Sequence, residues 1–401
     1  MSEQTARFVS PEEIVVGEDA VEDAGDRMAA RGSRALVVAT SGVFGRYGDR
    51  LRSSLESAGI ETAVFDEVRP DPTVANVRAA LERYRDADCD CIVTLGGGSP
   101  IDTGKAVGVM AANGGTIRDY AVDRAGYEGV PDPIPPLCAI NTTAGTGSEA
   151  TRSIVITDES TATKFLVVST EVVPSVAIED PTLTRSLPPS HTAFTGIDAL
   201  THAVEAYVSV QAWSLPDTLA RSAIERVGRW LPVSWANGDD LTAREEMLLG
   251  QLQAGQAFTN SSVALVHGMA RPFGAQLHVP HGLANGVLLP YVMEFSRQGA
   301  PKRYAEVARL LDAADDDTPD REAAAAAGPA VRQLCEDISL YGYLSEFAEV
   351  PSREAYAGLV GEMAADAVAS GSPDNNPRKP TTEEIEQLYM DVYDDVLTEF
   401  A

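Results

Sequence analysis

The chain has 401 residues, 44% of them hydrophobic, with 60 Asp plus Glu against 31 Lys plus Arg and a formal net charge of −29. That length exceeds the roughly 250 to 300 residues at which one core stops growing, so two domains are expected, and the acidic surplus speaks against nucleic acid as a partner. The orderly recurrence of apolar segments excludes a disordered chain.

The only lysines are Lys105, Lys164, Lys302 and Lys379, so the cations are almost all arginine. A charge of −29 strains a compact protein in dilute buffer, whereas molar salt cuts the screening length to roughly 3 Å. This balance fits a halophile's cytoplasm; the alternative is an acidic surface in a mesophile. The opening MSEQTARFVS lacks a basic start followed by an apolar stretch, and no later segment approaches the roughly 20 apolar residues of a membrane span, so a soluble, cytoplasmic protein without a membrane partner is expected. Cys89, Cys91, Cys138 and Cys335 are too scattered for a disulfide framework and are expected to be reduced core residues.

From about residue 34 to 180, short apolar runs alternate with amphipathic stretches: ALVVAT then GRYGDRLRSSLESAG, TAVFDEV then VANVRAALERYRDA, CIVTLG then DTGKAVGVMAAN. This alternation predicts βαβ units and a parallel sheet, an α/β domain over residues 1–184. After Asp180, PTLTRSLPPS reads as a connector. Beyond it HTAFTGIDALTHAVEAYV, TAREEMLLGQLQAGQAF, PKRYAEVARLL and TTEEIEQLYMDVYDDVL have helical spacing, which predicts an all-α domain over residues 185–401. SGSPDNNPRKP reads as a loop before the last helix, with Thr381 or Thr382 as its N-cap.

CIVTLGGGSPIDTGKAVG passes from a buried strand straight into a helix, with Ser99 suited to the N-cap and Pro100 to the first helical position. Gly96, Gly97 and Gly98 let backbone approach a bulky anion at a helix start that supplies free N–H groups. A pyrophosphate cradle and a plain tight turn both fit. NTTAGTGSEAT offers the hydroxyls of Thr142, Thr143, Thr146 and Ser148 beside two glycines, and reads equally as a dinucleotide-wrapping loop or an ordinary turn.

In TGIDALTHAVEAYV, Asp198 and His202 are four apart on a helical stretch, so a carboxylate and an imidazole project from one face. An isolated pair of this kind is usually a solvent-side contact. Scarcity sharpens it: the chain has five histidines, and His267, His278 and His281 lie close together further on.

GGGSPIDTGKA, TTAGTGSE, GIDALTHAVEAY and HGMARPFGAQLHVPHGLANGVLLP, in that order, resemble the iron-containing (group III) alcohol dehydrogenase family, from about residue 8 to the closing NPRKPTTEEIEQLY. The resemblance implies the dehydroquinate synthase-like fold, an α/β dinucleotide-binding domain followed by a helical one, with a metal in the cleft between them. It implies Asp198, His202, His267 and His281 as metal ligands. It puts the dinucleotide over Gly97, Gly98, Ser99, Thr142, Thr143 and Thr146, with Thr40 and Asp102 also counted among its contacts and Lys164 near the nicotinamide ribose. Three imidazoles and a carboxylate suit Fe²⁺ or Zn²⁺. The implied activity is hydride exchange between NAD(P)(H) and a small alcohol or aldehyde, in a homodimer or higher homo-oligomer.

Two departures matter. Many family members carry a histidine four residues after the one matching His267; here it is Arg271, which keeps its charge and can hold a carboxylate in two parallel hydrogen bonds. Arg271 is therefore expected either at the substrate, favouring a semialdehyde acid, or paired with a structural carboxylate. His278 is expected as a replacement proton-transfer group, or as a histidine at the surface or behind the ligands. Secondly, NAD-preferring members tend to place an aspartate after the first strand, which bonds the ribose 2′-hydroxyl and repels a 2′-phosphate. Here that stretch is Thr40, Ser41 and Gly42, so NADP(H) is expected to be accepted beside NAD(H), with Arg46 a phosphate contact. Alternative activities are a hydroxyacid–oxoacid transhydrogenase with bound nucleotide, and a glycerol phosphate dehydrogenase or dehydroquinate synthase-like enzyme.

Overall fold

The computed structural model describes residues 5–161 and 163–401. The chain divides into two compact units, one through Ser186 and one from Leu187 to Ala401.

The first unit holds β1 (Glu13–Val16), α1 (Ala24–Met28), β2 (Arg34–Ala39), α2 (Ser41–Ser57), β3 (Glu61–Phe65), α3 (Val74–Asp86), β4 (Cys91–Gly96), α4 (Gly98–Asn113), α5 (Val122–Ala125), β5 (Leu137–Asn141), β6 (Ser153–Asp158), β7 (Thr163–Val168) and β8 (Val176–Glu179). Six strands form one sheet in the order β1-β8-β5-β4-β2-β3, and every pairing in it is parallel. Strands β4 and β5 are buried at every residue, the pattern of a sheet covered on both faces. Alternation splits their side chains. Leu36, Val38 and Ile92 pack with Ile101 and Val107 of α4, while Val37, Val93 and Ile140 pack with Leu51 and Leu55 of α2. β6 and β7 form a separate antiparallel pair. All four cysteines are buried and free.

The strand order fixes where a ligand can sit. β3 lies on one side of β2 and β4 on the other, so α2 and α4 leave neighbouring strand ends in opposite directions. A crevice opens outside the carboxyl ends of strands at such a reversal. The turns there begin at Thr40, Gly97 and Thr142, because Ala39 pairs with Leu95 and Gly96 with Asn141.

The second unit is helical: α6 (Pro189–Val208), α7 (Ser214–Ala236), α8 (Leu241–Asn260), α9 (Leu265–Leu277), α10 (His281–Ser296), α11 (Pro301–Leu310), α12 (Asp320–Asp337), α13 (Leu344–Phe347), α14 (Arg353–Ala369) and α15 (Thr382–Asp395). α6 is buried nearly all round and packs against α7, α8 and α10. Thr381 caps α15 in a reciprocal box with Glu384, as its sequence suggests. Among the described residues no helix is long and apolar enough to cross a membrane.

Candidate active site: a nucleotide turn and a metal centre

In the first unit the glycine turn and the threonine loop are built against each other. The helix after the turn begins two residues earlier than its sequence suggests. Gly97 is the N-cap, α4 starts at Gly98, and Ser99 and Pro100 lie inside the first turn, where proline costs no hydrogen bond. A Cβ on Gly97 would lie 2.7 Å from Thr143 Oγ1, so glycine lets the threonine loop close onto the turn. Asn141 Oδ1 accepts from Thr143 N at 3.1 Å and from its hydroxyl at 3.3 Å. Thr146 Oγ1 accepts from Ser148 N at 3.3 Å.

Two α4 side chains then clamp the loop from below. Asp102 is buried, accepting from Ser148 Oγ at 2.5 Å and Val155 N at 2.9 Å. Lys105, fully buried, donates to Ser148 O at 2.6 Å, Thr151 O at 2.8 Å, Ser153 O at 3.1 Å and Thr151 Oγ1 at 3.2 Å. Burial lowers Lys105 to about 8, against the pull of Asp102 and Glu149, and the same burial raises Asp102. Lys105 was not singled out from sequence, although its place three residues after Asp102 on one helix face was readable. Thr40 caps α2, accepting from Val43 N at 3.4 Å, and Arg46 is exposed on that helix. Lys164 lies 2.5 Å from Asp71.

In the second unit, Asp198, His202 and Glu205 share one face of α6 at helical spacing, three ionisable groups on a helix buried mostly through apolar residues. His267 stands in the first turn of α9, and His281 opens α10. A Cβ on Gly282 would meet Phe194 O at 2.0 Å, so only glycine lets the start of α10 abut α6 and carry His281 beside Asp198. Single ligand atoms from Asp198, His267 and His281 all lie within 4.8 Å of one another. Asp198 Oδ1 is 3.6 Å from His267 Nε2 and 3.8 Å from His281 Nε2. His202 is adjacent but outside that set: its Nδ1 is 3.9 Å from Asp198 Oδ1 and its ring stacks between Phe258 and His267, at 4.4 Å from each.

Two further residues complete the centre. Glu205, buried, accepts from His267 Nδ1 at 2.6 Å. Asn285, one turn after His281, donates to Asp198 Oδ1 at 2.6 Å, and its Nδ2 is 3.3 Å from His267 Nε2 and 3.2 Å from His281 Nε2. Its Oδ1 is buried and has no hydrogen-bond partner among the described residues. Three ligand atoms thus converge where a neutral amide reaches all of them, and one buried acceptor is left over. That donor set fits a divalent cation.

The local charges agree. Burial works against charge on Asp198, but His202, His281 and His267 outweigh it and hold the carboxyl well below its usual range. Burial likewise opposes charge on His267, yet Glu205 and Asp198 raise it to about 9. His281 is pushed down to about 3, first by desolvation and then by His267, Arg271 and His202, against the pull of Asp198 and although 43% of its side chain is exposed.

Arg271 follows His267 by one turn on α9, donates to Ser372 Oγ at 3.3 Å, and its charge bears on His281. His278 ends α9 in the left-handed region at φ 54, with 69% of its side chain exposed and Nε2 4.0 Å from Glu349.

Known proteins match throughout. A family model described as iron-containing alcohol dehydrogenase covers residues 11–181, and one described as the Fe-containing alcohol dehydrogenase family, C-terminal, covers 192–393. The chain is 38% identical to a 1,3-propanediol dehydrogenase of Citrobacter freundii, over 98% of this chain and 100% of that one. It is 36% identical to lactaldehyde reductase of Escherichia coli strain K12, over 96% and 98%. The crystal structure of a 1,3-propanediol oxidoreductase superposes with a TM-score of 0.92 at 38% identity, covering 97% of this chain and 100% of that one. Matched along both units, the chain belongs to the iron-containing alcohol dehydrogenase family.

Proposed function

We propose that the protein is an NAD(P)-linked alcohol dehydrogenase and aldehyde reductase that uses a divalent ion, Fe²⁺ or Zn²⁺, held by Asp198, His267 and His281 with His202. The convergence of the first three within 4.8 Å carries this reading. When bound, the ion stabilises negative charge on the substrate oxygen, and the nicotinamide carries the hydride. Asp198 supplies the anionic ligand, and the imidazoles add no charge of their own.

The relatives named for propanediol and lactaldehyde support a short, polar substrate. Arg271 refines the class: a permanent cation one turn from His267 suits a carboxylate at the far end of the substrate, as in a semialdehyde acid and its hydroxy acid. The exposure of His278 and its place at a helix end support a surface histidine over a proton-transfer group. On the nucleotide side, Gly97, Gly98, Ser99, Thr142, Thr143 and Thr146 face the pyrophosphate and nicotinamide, and Lys164 the ribose. Asp102 acts by holding the loop, its two oxygens being bonded to Ser148 and Val155. With Thr40 in place of an acid and Arg46 exposed nearby, NADP(H) is accepted. The charge of −29 supports function in concentrated salt.

The test is a panel of 1,3-propanediol, lactaldehyde and a semialdehyde acid in molar KCl, with Fe²⁺ or Zn²⁺ and each nucleotide, followed as nicotinamide absorbance. Metal-dependent turnover is expected, and no turnover with any combination refutes the reading.

A further inference from the structure

Glu205 is a carboxylate with 2% exposure on a helix whose neighbouring positions are apolar. Such a group is costly unless its oxygens are bonded. Both are, and to consecutive residues. Oε1 accepts from Val266 N at 2.6 Å, and Oε2 from His267 Nδ1 at 2.6 Å. Val266 N belongs to the first turn of α9, where backbone N–H groups have no partner within the helix and where the dipole favours an anion. One side chain therefore fixes both the start of α9 and the ring it carries.

The consequence lies at the other ring nitrogen. With Nδ1 committed to Glu205, Nε2, the atom 3.6 Å from Asp198 Oδ1, is the ring nitrogen left to offer its lone pair to a bound cation. We infer that Glu205 is a positioning residue for the metal centre: it fixes the tautomer and the aim of His267 and adds a second, non-ligating negative charge behind it. The inference rests on the reading that this centre holds a divalent ion. Removal of an outer carboxylate that orients a ligating imidazole weakens metal binding by about 10- to 100-fold.

The experiment uses the full chain, stripped by a chelator and titrated with Co²⁺ and with Zn²⁺ against a competing chelator, for wild type, Glu205→Gln and Glu205→Ala. Glu205→Gln keeps an acceptor for Val266 N but loses the charge. Its Co²⁺ and Zn²⁺ dissociation constants are expected to rise by about 10- to 100-fold, with an altered Co²⁺ visible spectrum, while the metal-free melting temperature stays near wild type. Metal affinities unchanged in both variants overturn the inference while leaving the proposed function standing; a wild type that binds no divalent ion overturns both. A second measurement needs no variant. Nitrogen-15 labelling of the five histidines in the Zn²⁺-loaded wild type is expected to show His267 protonated at Nδ1 and ligated through Nε2, and ligation through Nδ1 overturns the inference.

Discussion

Lys105→Met tests the clamp beneath the threonine loop. Methionine fills the space of the lysine stem, so the change removes the ammonium and little packing. Three backbone carbonyls, of Ser148, Thr151 and Ser153, lose the ammonium as a donor, Ser148 O keeping only its 3.3 Å bonds from Thr151 N and Oγ1, and Asp102 and Glu149 lose a neighbouring cation. At about 1 kcal/mol for each carbonyl the loss is about 3 kcal/mol, the lower end of the roughly 3–5 kcal/mol for breaking a buried charge pair from one side. Four oxygens within 3.2 Å of Nζ favour the charged ammonium, against the burial that lowers it. If the loop must be clamped to receive nucleotide, about 3 kcal/mol bounds the loss at roughly 100-fold in dissociation constant. Titration of reduced nucleotide by its fluorescence is expected to show a weakening of about 10- to 100-fold, with the metal content of the second unit unchanged. A variant that binds nucleotide within about twofold of wild type refutes the reasoning.

Thr40→Asp puts an acid at the end of β2, and its effect is expected to be a shift of kcat/KM from NADP(H) toward NAD(H) by at least about tenfold, one charge-assisted hydrogen bond; a wild type already strongly selective for NAD(H) contradicts this. Arg271→Ala is expected to cost carboxylate-bearing substrates about 10- to 100-fold in kcat/KM and to spare neutral ones, and equal losses count against the substrate reading. Asp90 accepts from Ser33 N, Ser33 Oγ and Arg34 N, and although burial opposes its charge these bonds hold it below 3.8. A depressed carboxylate stabilises above its unfolded value and loses that contribution as pH falls through the folded one. Asp90→Ala is thus expected to melt about 2–4 °C lower at pH 7, with the gap closing below about pH 4, and a gap that persists in acid refutes it.

Much of the fold was legible because local patterns and tertiary structure agree. The alternation from ALVVAT onward matches β2 through α4, and helical spacing marks α6, α8, α11 and α15. What escaped depends on distant partners. β1 is four residues long and gains its identity by pairing with β8, far along the chain. The early start of α4 escaped because Ser99 and Pro100 suit several positions in a first turn, and the close approach of Thr143 settles which one they take. At the metal centre, ligand residue types are rare enough to be seen, whereas Glu205 and Asn285 are ordinary polar residues until α9 and α10 bring histidines against them. Their helical spacing, one turn after His202 and one after His281, was the available signal.

The central claim is that Asp198, His267 and His281, with His202, hold one divalent ion on which hydride transfer depends. It is tested most directly by metal removal and return in the native chain. Chelation in molar KCl is expected to abolish nucleotide-linked turnover of 1,3-propanediol, and Fe²⁺ or Zn²⁺ is expected to restore it at one ion per chain, with Asp198→Ala neither binding the ion nor recovering. Full turnover by the chelated protein, or unchanged metal binding by Asp198→Ala, contradicts the account.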